Sequence, residues 1–274
     1  LAQAIKNAAT QRSQAARALD GEFRMALTGT PVENRVSELW AIFAAVFPPL
    51  FGPWEHFRET YAVAIDRDRS PAAQAQLALA LRPFVLRRRK DEVARELPAR
   101  TEIALTIPLS DGEAALYEQV RLAAIAKLQD ALPELGANEQ RIQILAELTR
   151  LRLAACHPRL HDPESDVPSS KLERLLELLE ELRAEGHRAL VFSQFVGHLA
   201  LVRAALDAAG ISYQYLDGAT PAAARGARVA AFQAGDGDLF LISLKAGGTG
   251  LNLTAADYVI HLDPWWNPAV EDQA

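Results

Sequence analysis

The sequence predicts an α/β protein in which the second half forms a sheet of parallel strands covered by helices. After residue 168, short apolar strands alternate with amphipathic helices, and the connections between them are brief. This alternation is typical of a doubly wound parallel sheet. Half of the 274 residues are apolar, which is enough for a substantial core.

Each element of this α/β half has its own signal. "PSSKLERLLELLEELRAEGHR" begins with a capping box of Ser170 and Glu173 and continues as an amphipathic helix that ends at Gly186. A buried strand, a helix closed by Gly210 and a second strand follow in "ALVFSQF", "VGHLALVRAALDAAG" and "ISYQYLDG". Thr220 is a predicted helix cap, and "DLFLISL" and "YVIHLD" are the last two predicted strands.

The first half has a different organisation. "FRMALTGTP" predicts a single strand that ends in a glycine turn, and "VSELWAIFAAVF" predicts an amphipathic helix. The aromatic and Pro-broken segments that follow predict short, protruding helices. Residues 101–109 are predicted as a strand, and residues 111–157 as helix interrupted at Pro133 and Gly136.

The acidic segment "HPRLHDPESDVPSS" predicts a linker that leaves the angle between its flanking domains variable. The predicted domains are residues 1–100, residues 101–168 as a helical protrusion with the linker, and residues 169–274.

Charge and cysteine usage exclude several classes of protein. The net charge of -6 argues against a general DNA-coating protein, although residues 82–100 carry seven basic and three acidic side chains. Such a basic patch fits one local phosphate contact and equally fits a solvated helix face.

Cys156 is the only cysteine, which excludes an internal disulfide and a multi-cysteine zinc cage, and no metal site is predicted. No apolar run reaches the roughly 18 residues that cross a bilayer, and a cytosolic protein is expected.

Four loops at the carboxyl ends of predicted strands combine small residues with a hydroxyl: 28–31, 193–195, 217–220 and 245–250. Ligands of open parallel sheets bind at such ends, and free N–H groups with Ser or Thr hydroxyls bind phosphates. One such loop alone is more often only a tight turn. The four together predict an anion-binding surface.

These loops resemble the motifs of the Swi/Snf-type DNA translocases of helicase superfamily two, in their bacterial form. "LTGTPVEN" with Glu38-Leu39-Trp40 resembles their third motif, "FVLRRRKDEVARELP" the basic end of their first lobe, and "LRLAACHPRL" the helical signature before their second lobe. "ALVFSQF" resembles motif four, and "YLDGAT" with Arg225 the motif after it. "ISLKAGGTGLNLTAADYVIHLDPWWNPAVEDQA" resembles motif five and the start of motif six.

The resemblance implies two RecA-like lobes that clamp ATP and step along one strand of duplex DNA. Thr28, Gly29 and Thr30 would couple the nucleotide site to the DNA track. The second lobe's side of the track would be lined by Ser193, Gln194, Gly218, Thr220, Ser243, Lys245, Gly247, Gly248 and Thr249. Gly250, Asn252 and Gln273 would lie on the ATP side between the lobes. Backbone amides and hydroxyls suit a motor that must work on any sequence.

The tryptophan pair and Lys245 have simpler interpretations. Trp265 and Trp266 are expected to pack the sheet edge against a helix rather than to contact bases. Lys245 precedes the glycines, so it does not have the position of a P-loop lysine.

The departures from the family pattern predict that this chain alone lacks ATPase activity. No Gly-Lys-Ser or Gly-Lys-Thr occurs, only Ala2-Gln3 remains of the acidic motif, and the arginines of motif six are absent. Those parts position and neutralise the phosphates in phosphoryl transfer, so no catalytic set is complete. The whole protein is expected to use ATP and Mg²⁺, with neither bound to this chain.

The expected partner is double-stranded DNA, contacted through its backbone, and a DNA-bound protein complex is a second candidate; no membrane is involved. The nucleoid is the expected location. Two alternatives stay open: a non-catalytic RecA-like scaffold for protein interactions, and an RNA-directed helicase of the same superfamily, which the Trp-Trp motif disfavours.

Overall fold

The computed structural model describes residues 2–88, 90–93, 100–131, 135–247, 251–267 and 271. Contacts divide the chain into two compact units. Unit 1 comprises Leu1–Ile103 with Asn267–Gln273, and unit 2 comprises Ala104–Trp266 with Ala274. In the described part of the chain, no helix is long and apolar enough to cross a membrane.

Unit 1 is built from short helices around an aromatic core. After a 3-10 turn its helices are α1 (Gln11–Ala18), α2 (Val36–Val46), α3 (Trp54–Phe57), α4 (Pro71–Leu81) and α5 (Lys90–Val93), and α3 continues into the π-helical segment Arg58–Arg67. Phe51 lies at the centre of the core, where its ring contacts Phe43 and Phe57 edge-on at 5.3 and 5.0 Å between centroids. Such edge-to-face pairs add to the burial of the rings themselves.

The strand predicted in "FRMALTGTP" is not formed. Phe23, Met25 and Leu27 alternate as a strand would, but their side chains are 83%, 69% and 65% exposed. A strand needs a neighbour for its backbone groups. Among the described residues, this segment takes part in a single backbone–backbone hydrogen bond, from the Ala2 N–H to the Leu27 carbonyl at 2.9 Å. The strand prediction is wrong, because among the described residues no second strand pairs with this segment.

Unit 2 begins with a pair of long helices. Residues 101–109, predicted as a strand, form none, whereas the helix prediction for 111–157 is confirmed by α6 (Asp111–Ala131) and α7 (Ala137–Cys156). The predicted interruption at Gly136 is confirmed, since Gly136 is the N-cap of α7, and Pro133 lies outside the described residues. Glu147 of α7 is almost fully buried and pairs with Lys127 of α6 at 2.7 Å, which joins the two helices.

The predicted parallel α/β sheet is confirmed. Its strands are β1 (Ala189–Ser193), β2 (Tyr213–Leu216), β3 (Leu239–Ser243) and β4 (Tyr258–His261), in the order β2-β3-β1-β4. Every pairing is parallel, with Ser193 of β1 opposite Ser243 of β3. The intervening helices are α8 (Ser170–Ala184), α9 (Val196–Ala208), α10 (Ala222–Gln233) and the short α11 (Leu244–Gly247).

Helices cover both faces of the central strands. Every residue of β1 and β3 is buried, as expected for strands inside a doubly wound sheet. On one face, Val191 packs in a cluster with Leu179 of α8 and Leu199 of α9. On the other, Phe240 of β3 meets Phe232 of α10 at 5.3 Å between ring centroids. Each fully buried side chain of this size contributes about 1.5–3 kcal/mol of transfer free energy.

Two predicted helix caps are wrong. Ser169, not Ser170, caps α8, because its hydroxyl accepts the Leu172 N–H at 3.4 Å. Pro221 is the N-cap residue of α10, whereas the Thr220 hydroxyl bonds the preceding loop at Asp217. The Ser170 hydroxyl bonds the distant Glu113, whereas the Thr220 hydroxyl is held by Asp217 within its own turn. The glycine helix ends are confirmed at Gly186 and Gly210, with φ of 80° and 66°.

The segment predicted as a loose linker is held within unit 2. Arg159 donates to the Ser165 carbonyl at 3.0 Å. Val167 packs so closely on Gly112 that a Cβ there would lie 3.1 Å from its methyl group. The segment therefore follows the surface of the helical pair before α8 begins. The predicted domain boundaries remain a prediction.

Candidate nucleic-acid interface

The carboxyl edge of the parallel sheet gathers most of the predicted site residues of unit 2. Gln194 follows β1, Gly218 and Thr220 follow β2, and Lys245 follows β3. The strand order places these three strand ends side by side, with β3 between β2 and β1. Gly248, Thr249, Gly250 and Gln273 were also predicted, and they lie outside the described residues.

The predicted residues at this edge divide into exposed and buried groups. Gly218 and Lys245 are exposed. Ser193, Ser243 and Thr220 retain only 1%, 4% and 8% of their exposure. The exposed ammonium of Lys245 and the exposed backbone of Gly218 can bind an anion directly. The buried hydroxyls of Ser193 and Thr220 form hydrogen bonds within their own loops instead. In this structure the Ser193 and Thr220 hydroxyls order the turns that follow β1 and β2.

Asp263 organises the carboxyl ends of β1 and β4, and sequence reasoning missed it. Its carboxylate accepts hydrogen bonds from the Ser193 hydroxyl and, at 3.0 Å, from the Gln194 N–H. His198 of α9 approaches it to 3.6 Å. Burial raises the pKa of Asp263, but His198 and these hydrogen bonds lower it more, so its pKa lies below the ordinary value. The ionised carboxylate thus joins the turn after β1 to the "DPWWNP" segment.

Cys156 completes a buried cluster with His198 and Asp263. Their ligand atoms lie within 4.8 Å of one another, which makes them a possible metal-binding group. Burial raises the pKa of the Cys156 thiol to about 11. Because the thiolate is the metal ligand and Asp263 already accepts from Ser193 and Gln194, we do not assign this cluster as a metal centre.

Gly247 is required where the β3 loop approaches the strands. A Cβ at this position would lie 2.5 Å from Cε1 of Phe192. Only glycine allows α11 to fold back this closely over the end of β1. The glycine therefore brings the backbone after β3, with Lys245, down onto the sheet edge.

In unit 1, the turn at 28–30 is held by its own hydroxyls and by Glu33. The Thr30 N–H donates to the Thr28 hydroxyl at 3.3 Å, and the Thr30 hydroxyl donates to Glu33 at 3.1 Å. Gly29 is exposed at the tip. Lys6 pairs with Glu33 at 2.7 Å. Burial raises the pKa of Glu33, but Lys6 and neighbouring donors lower it overall, so this carboxylate stays charged.

Asn252, predicted on the ATP side, is exposed after α11, and its carbonyl accepts from Gln233 of α10 at 3.1 Å. Lys6 and Glu33 had no predicted role. Arg152, a further residue that sequence reasoning missed, lies in "LRLAACHPRL", and its presence in that motif was the available signal.

Two family models match the chain and define its class. The "SNF2-related domain" matches residues 2–160, and the "Helicase conserved C-terminal domain" matches residues 170–274. The chain therefore belongs to the Swi/Snf-type family of superfamily-two helicases.

Named relatives agree with this assignment. The "Putative ATP-dependent helicase/translocase YwqA" of Bacillus subtilis is 41% identical over 281 residues, covering 100% of this chain and 30% of the relative. An "Uncharacterized ATP-dependent helicase" of Mycoplasma pneumoniae is 33% identical, with 100% and 26% covered. The "Chromodomain-helicase-DNA-binding protein 1-like" of Danio rerio is 35% identical, with 98% and 27% covered. The chain thus spans less than a third of each of these relatives.

Solved structures show the same fold. The Sulfolobus solfataricus SWI2/SNF2 ATPase core domain is 31% identical with a TM-score of 0.57, covering 98% of this chain and 56% of that one. The same core in complex with dsDNA is 31% identical with a TM-score of 0.54, covering 97% and 57%.

Proposed function

We propose that this chain is the DNA-contacting part of an ATP-dependent translocase of duplex DNA, with a second RecA-like lobe in residues 169–274 and the end of a first lobe before it. The observation that carries the proposal is the sheet edge where Gln194, Gly218 and Lys245 come together. The matching core from Sulfolobus solfataricus was solved in complex with dsDNA, which supports duplex DNA as the ligand.

The chemistry of the edge suits backbone phosphates. Lys245 supplies an exposed cation, Gly218 an exposed backbone, and Gly247 a close approach of α11 to the sheet edge. None of these groups reads base identity, so binding would be independent of sequence and sensitive to salt. The expected location is the nucleoid, where such DNA is found.

ATP and Mg²⁺ would serve the whole protein rather than this chain. In this family a Gly-Lys-Thr loop and an acidic motif cradle the nucleotide phosphates; the sequence has no Gly-Lys-Thr, and only Ala2-Gln3 matches the acidic motif. The residues present do not fit ATP on their own. Thr28–Thr30 and the "AGGTG" loop are the parts through which a nucleotide bound elsewhere would act on the DNA contact.

A binding experiment tests the DNA contact. Anisotropy of a labelled mixed-sequence duplex is measured against the chain at several salt concentrations. We expect weak binding that falls steeply with salt, and Lys245→Gln should weaken it and reduce the salt slope by about 1. Arg121→Gln removes one positive charge from an exposed helix face and is the matched control. Binding that is insensitive to salt or selective for one sequence would contradict the proposal.

Hydrolysis and ligand preference separate the alternatives. The chain alone should release no phosphate from ATP, with or without duplex DNA, and DNA-stimulated turnover would overturn our placement of the catalytic parts. A chain that binds no nucleic acid would instead support the protein-interaction scaffold. Preference for duplex RNA over duplex DNA would support the RNA-directed helicase.

A further inference from the structure

Arg152 of α7 lies where three segments of unit 2 meet. Its guanidinium donates to Oε1 of Gln194, after β1, at 3.1 Å. It also donates to the carbonyl of Pro264, after β4. A planar guanidinium with several fixed donors suits such a junction better than a single ammonium would. One side chain of the helical pair thus holds two loops of the sheet edge.

The same guanidinium lies against aromatic rings. Its Cζ is 4.2 Å from the ring centroid of Trp266, and 5.6 Å from those of Trp265 and Phe195. Cation–π contacts of this kind contribute about 0.5–2 kcal/mol, and they favour Arg because its flat surface stacks on the ring. Trp266 remains 55% exposed, and the Arg152 guanidinium covers part of its ring.

The contact with Arg152 determines the orientation of the Gln194 side-chain amide. Arginine carries donors and no acceptor, so the amide oxygen must face it. The amide nitrogen is left buried without a hydrogen-bond partner among the residues that the structure describes. Unmatched buried N–H donors are costly, about 1–3 kcal/mol, so an acceptor from outside the described residues is expected.

We propose that Arg152 is a positioning residue of the DNA interface. It fixes the Gln194 side chain and holds the tryptophan segment beside the turn after β1, so that this turn is in place to contact a backbone phosphate. The inference rests on the proposed function for its ligand. It also assigns a task to "LRLAACHPRL": this motif connects the helical pair to the sheet edge that would contact DNA.

The positioning can be tested without DNA by fluorine NMR of the chain labelled with fluorotryptophan. The four tryptophans give four resonances, and Trp265→Phe and Trp266→Phe assign two of them. Arg152→Lys keeps the charge and Arg152→Met keeps the apolar stem, but both lose the planar fork. We expect both to shift the Trp265 and Trp266 resonances while those of Trp40 and Trp54 stay in place. Arg121→Lys on the exposed face of α6 should move none.

DNA binding tests the consequence for Gln194. Arg152→Met should weaken duplex binding about tenfold, and Arg152→Lys less. Gln194→Glu, which can still accept from Arg152 but offers no donor, should weaken binding similarly. The double substitution Arg152→Met with Gln194→Glu should cost little more than either single one, because the residues act as one unit. A purely structural role would instead give additive losses that follow the thermal midpoint.

The outcomes distinguish the two proposals. Unchanged tryptophan resonances in Arg152→Met would overturn the positioning role, whatever the chain binds. If the unsubstituted chain binds no duplex, the proposed function fails and the phosphate contact of the turn after β1 fails with it. In that case the fluorine spectra still decide whether Arg152 orders the tryptophan segment. Duplex binding by Arg152→Met equal to that of the unsubstituted chain would refute the inference and leave the proposed function standing.

Discussion

At the scale of single residues, the sheet edge depends on close contacts that polar and small side chains allow. Asp263 accepts from two neighbouring residues of the turn after β1, and Gly247 lets the backbone after β3 lie against Phe192. Substitution at either position should lower the stability of unit 2, because a buried polar group loses its partners and a tightly packed glycine has no room for a side chain.

Gly247→Ala should destabilise unit 2 by about 1–3 kcal/mol, the usual effect of overpacking. The added methyl group would lie 2.5 Å from a ring carbon of Phe192, which is itself almost fully buried and has little room to move. Urea unfolding followed by circular dichroism measures the change. Gly226→Ala in α10 is the control, since its Cβ meets nothing within 4 Å and alanine favours helix. Equal stability of the two variants would contradict the close-approach argument.

His157 should make unit 2 less stable in mild acid. Burial, then the neighbouring His198 and Arg159, lower the pKa of His157 from 6.5 to about 4, against a small opposing effect of Glu113. The unfolded chain therefore binds a proton that the folded chain excludes, so stability is present above pH 6.5 and is lost as pH falls towards about 4. The loss is on the order of 3 kcal/mol over the whole interval.

Unfolding free energies measured between about pH 5 and 7.5 test the His157 prediction. His157→Asn keeps a side-chain acceptor for the Arg159 N–H, which His157 accepts at 3.1 Å, but it does not titrate. The variant should show a flatter pH dependence than the unsubstituted chain. Parallel pH profiles for the two chains would show that His157 is not the responsible group.

At the scale of elements, one buried carboxylate joins two helix starts. Glu113 is 5% exposed in the first turn of α6, where it accepts from the Ser110 N–H at 2.9 Å and from the Ser170 N–H of α8 at 3.0 Å. Burial raises the pKa of Glu113, but the hydrogen bonds from Ser170 and Ser110 lower it by more. The pKa therefore lies below the ordinary value. This contact explains why Ser170 does not cap α8 as local rules predicted.

Glu113→Gln should destabilise unit 2 by about 1–3 kcal/mol, because an NH₂ group would face donors of Ser110 or Ser170 and leave them unmatched. Glu118→Gln is the matched control on the same helix. Its ion pair with Arg121 is exposed and is worth less than about 1 kcal/mol. Urea midpoints of the two variants decide the matter, and a Glu113→Gln chain as stable as the control would rule out the bridging role.

Strand predictions succeeded or failed for an element-scale reason. The strands of the α/β half had partners within the described residues, and all four formed. "FRMALTGTP" and residues 101–109 had comparable apolar alternation, but the described part of the chain places no strand beside them, and neither segment forms a strand. Alternation reports which side chains share a face, whereas a ladder also needs the backbone of a second strand.

At the scale of the whole molecule, the chain consists of two units with separate cores. The core of unit 2 combines the helices α8 and α9 with the sheet, and that of unit 1 is the aromatic cluster around Phe57. The helical pair α6 and α7 groups with the sheet in unit 2, although it was predicted as a separate protrusion in residues 101–168. Which boundary describes independent folding is a measurable question.

We expect residues 104–274 to fold alone with one cooperative urea transition. Residues 169–274 should be less stable by several kcal/mol, because they lack Glu113 beneath α8 and Arg152 beside Gln194. Circular dichroism and one-dimensional NMR of the two polypeptides provide the comparison. Equal midpoints would favour the boundary at residue 169 and would show that the helical pair adds nothing to the stability of the sheet.

By itself, the sequence determined the α/β class, the four parallel strands, the glycine helix ends and the family, because periodicity and motif spacing are local properties of the chain. Only the tertiary structure decided which residues act together at the sheet edge. Asp263 bonding Ser193, Glu113 bonding Ser170 and Arg152 bonding Gln194 all join positions more than 40 residues apart. Burial turns such polar contacts into strong constraints, and burial is known only once the chain has folded.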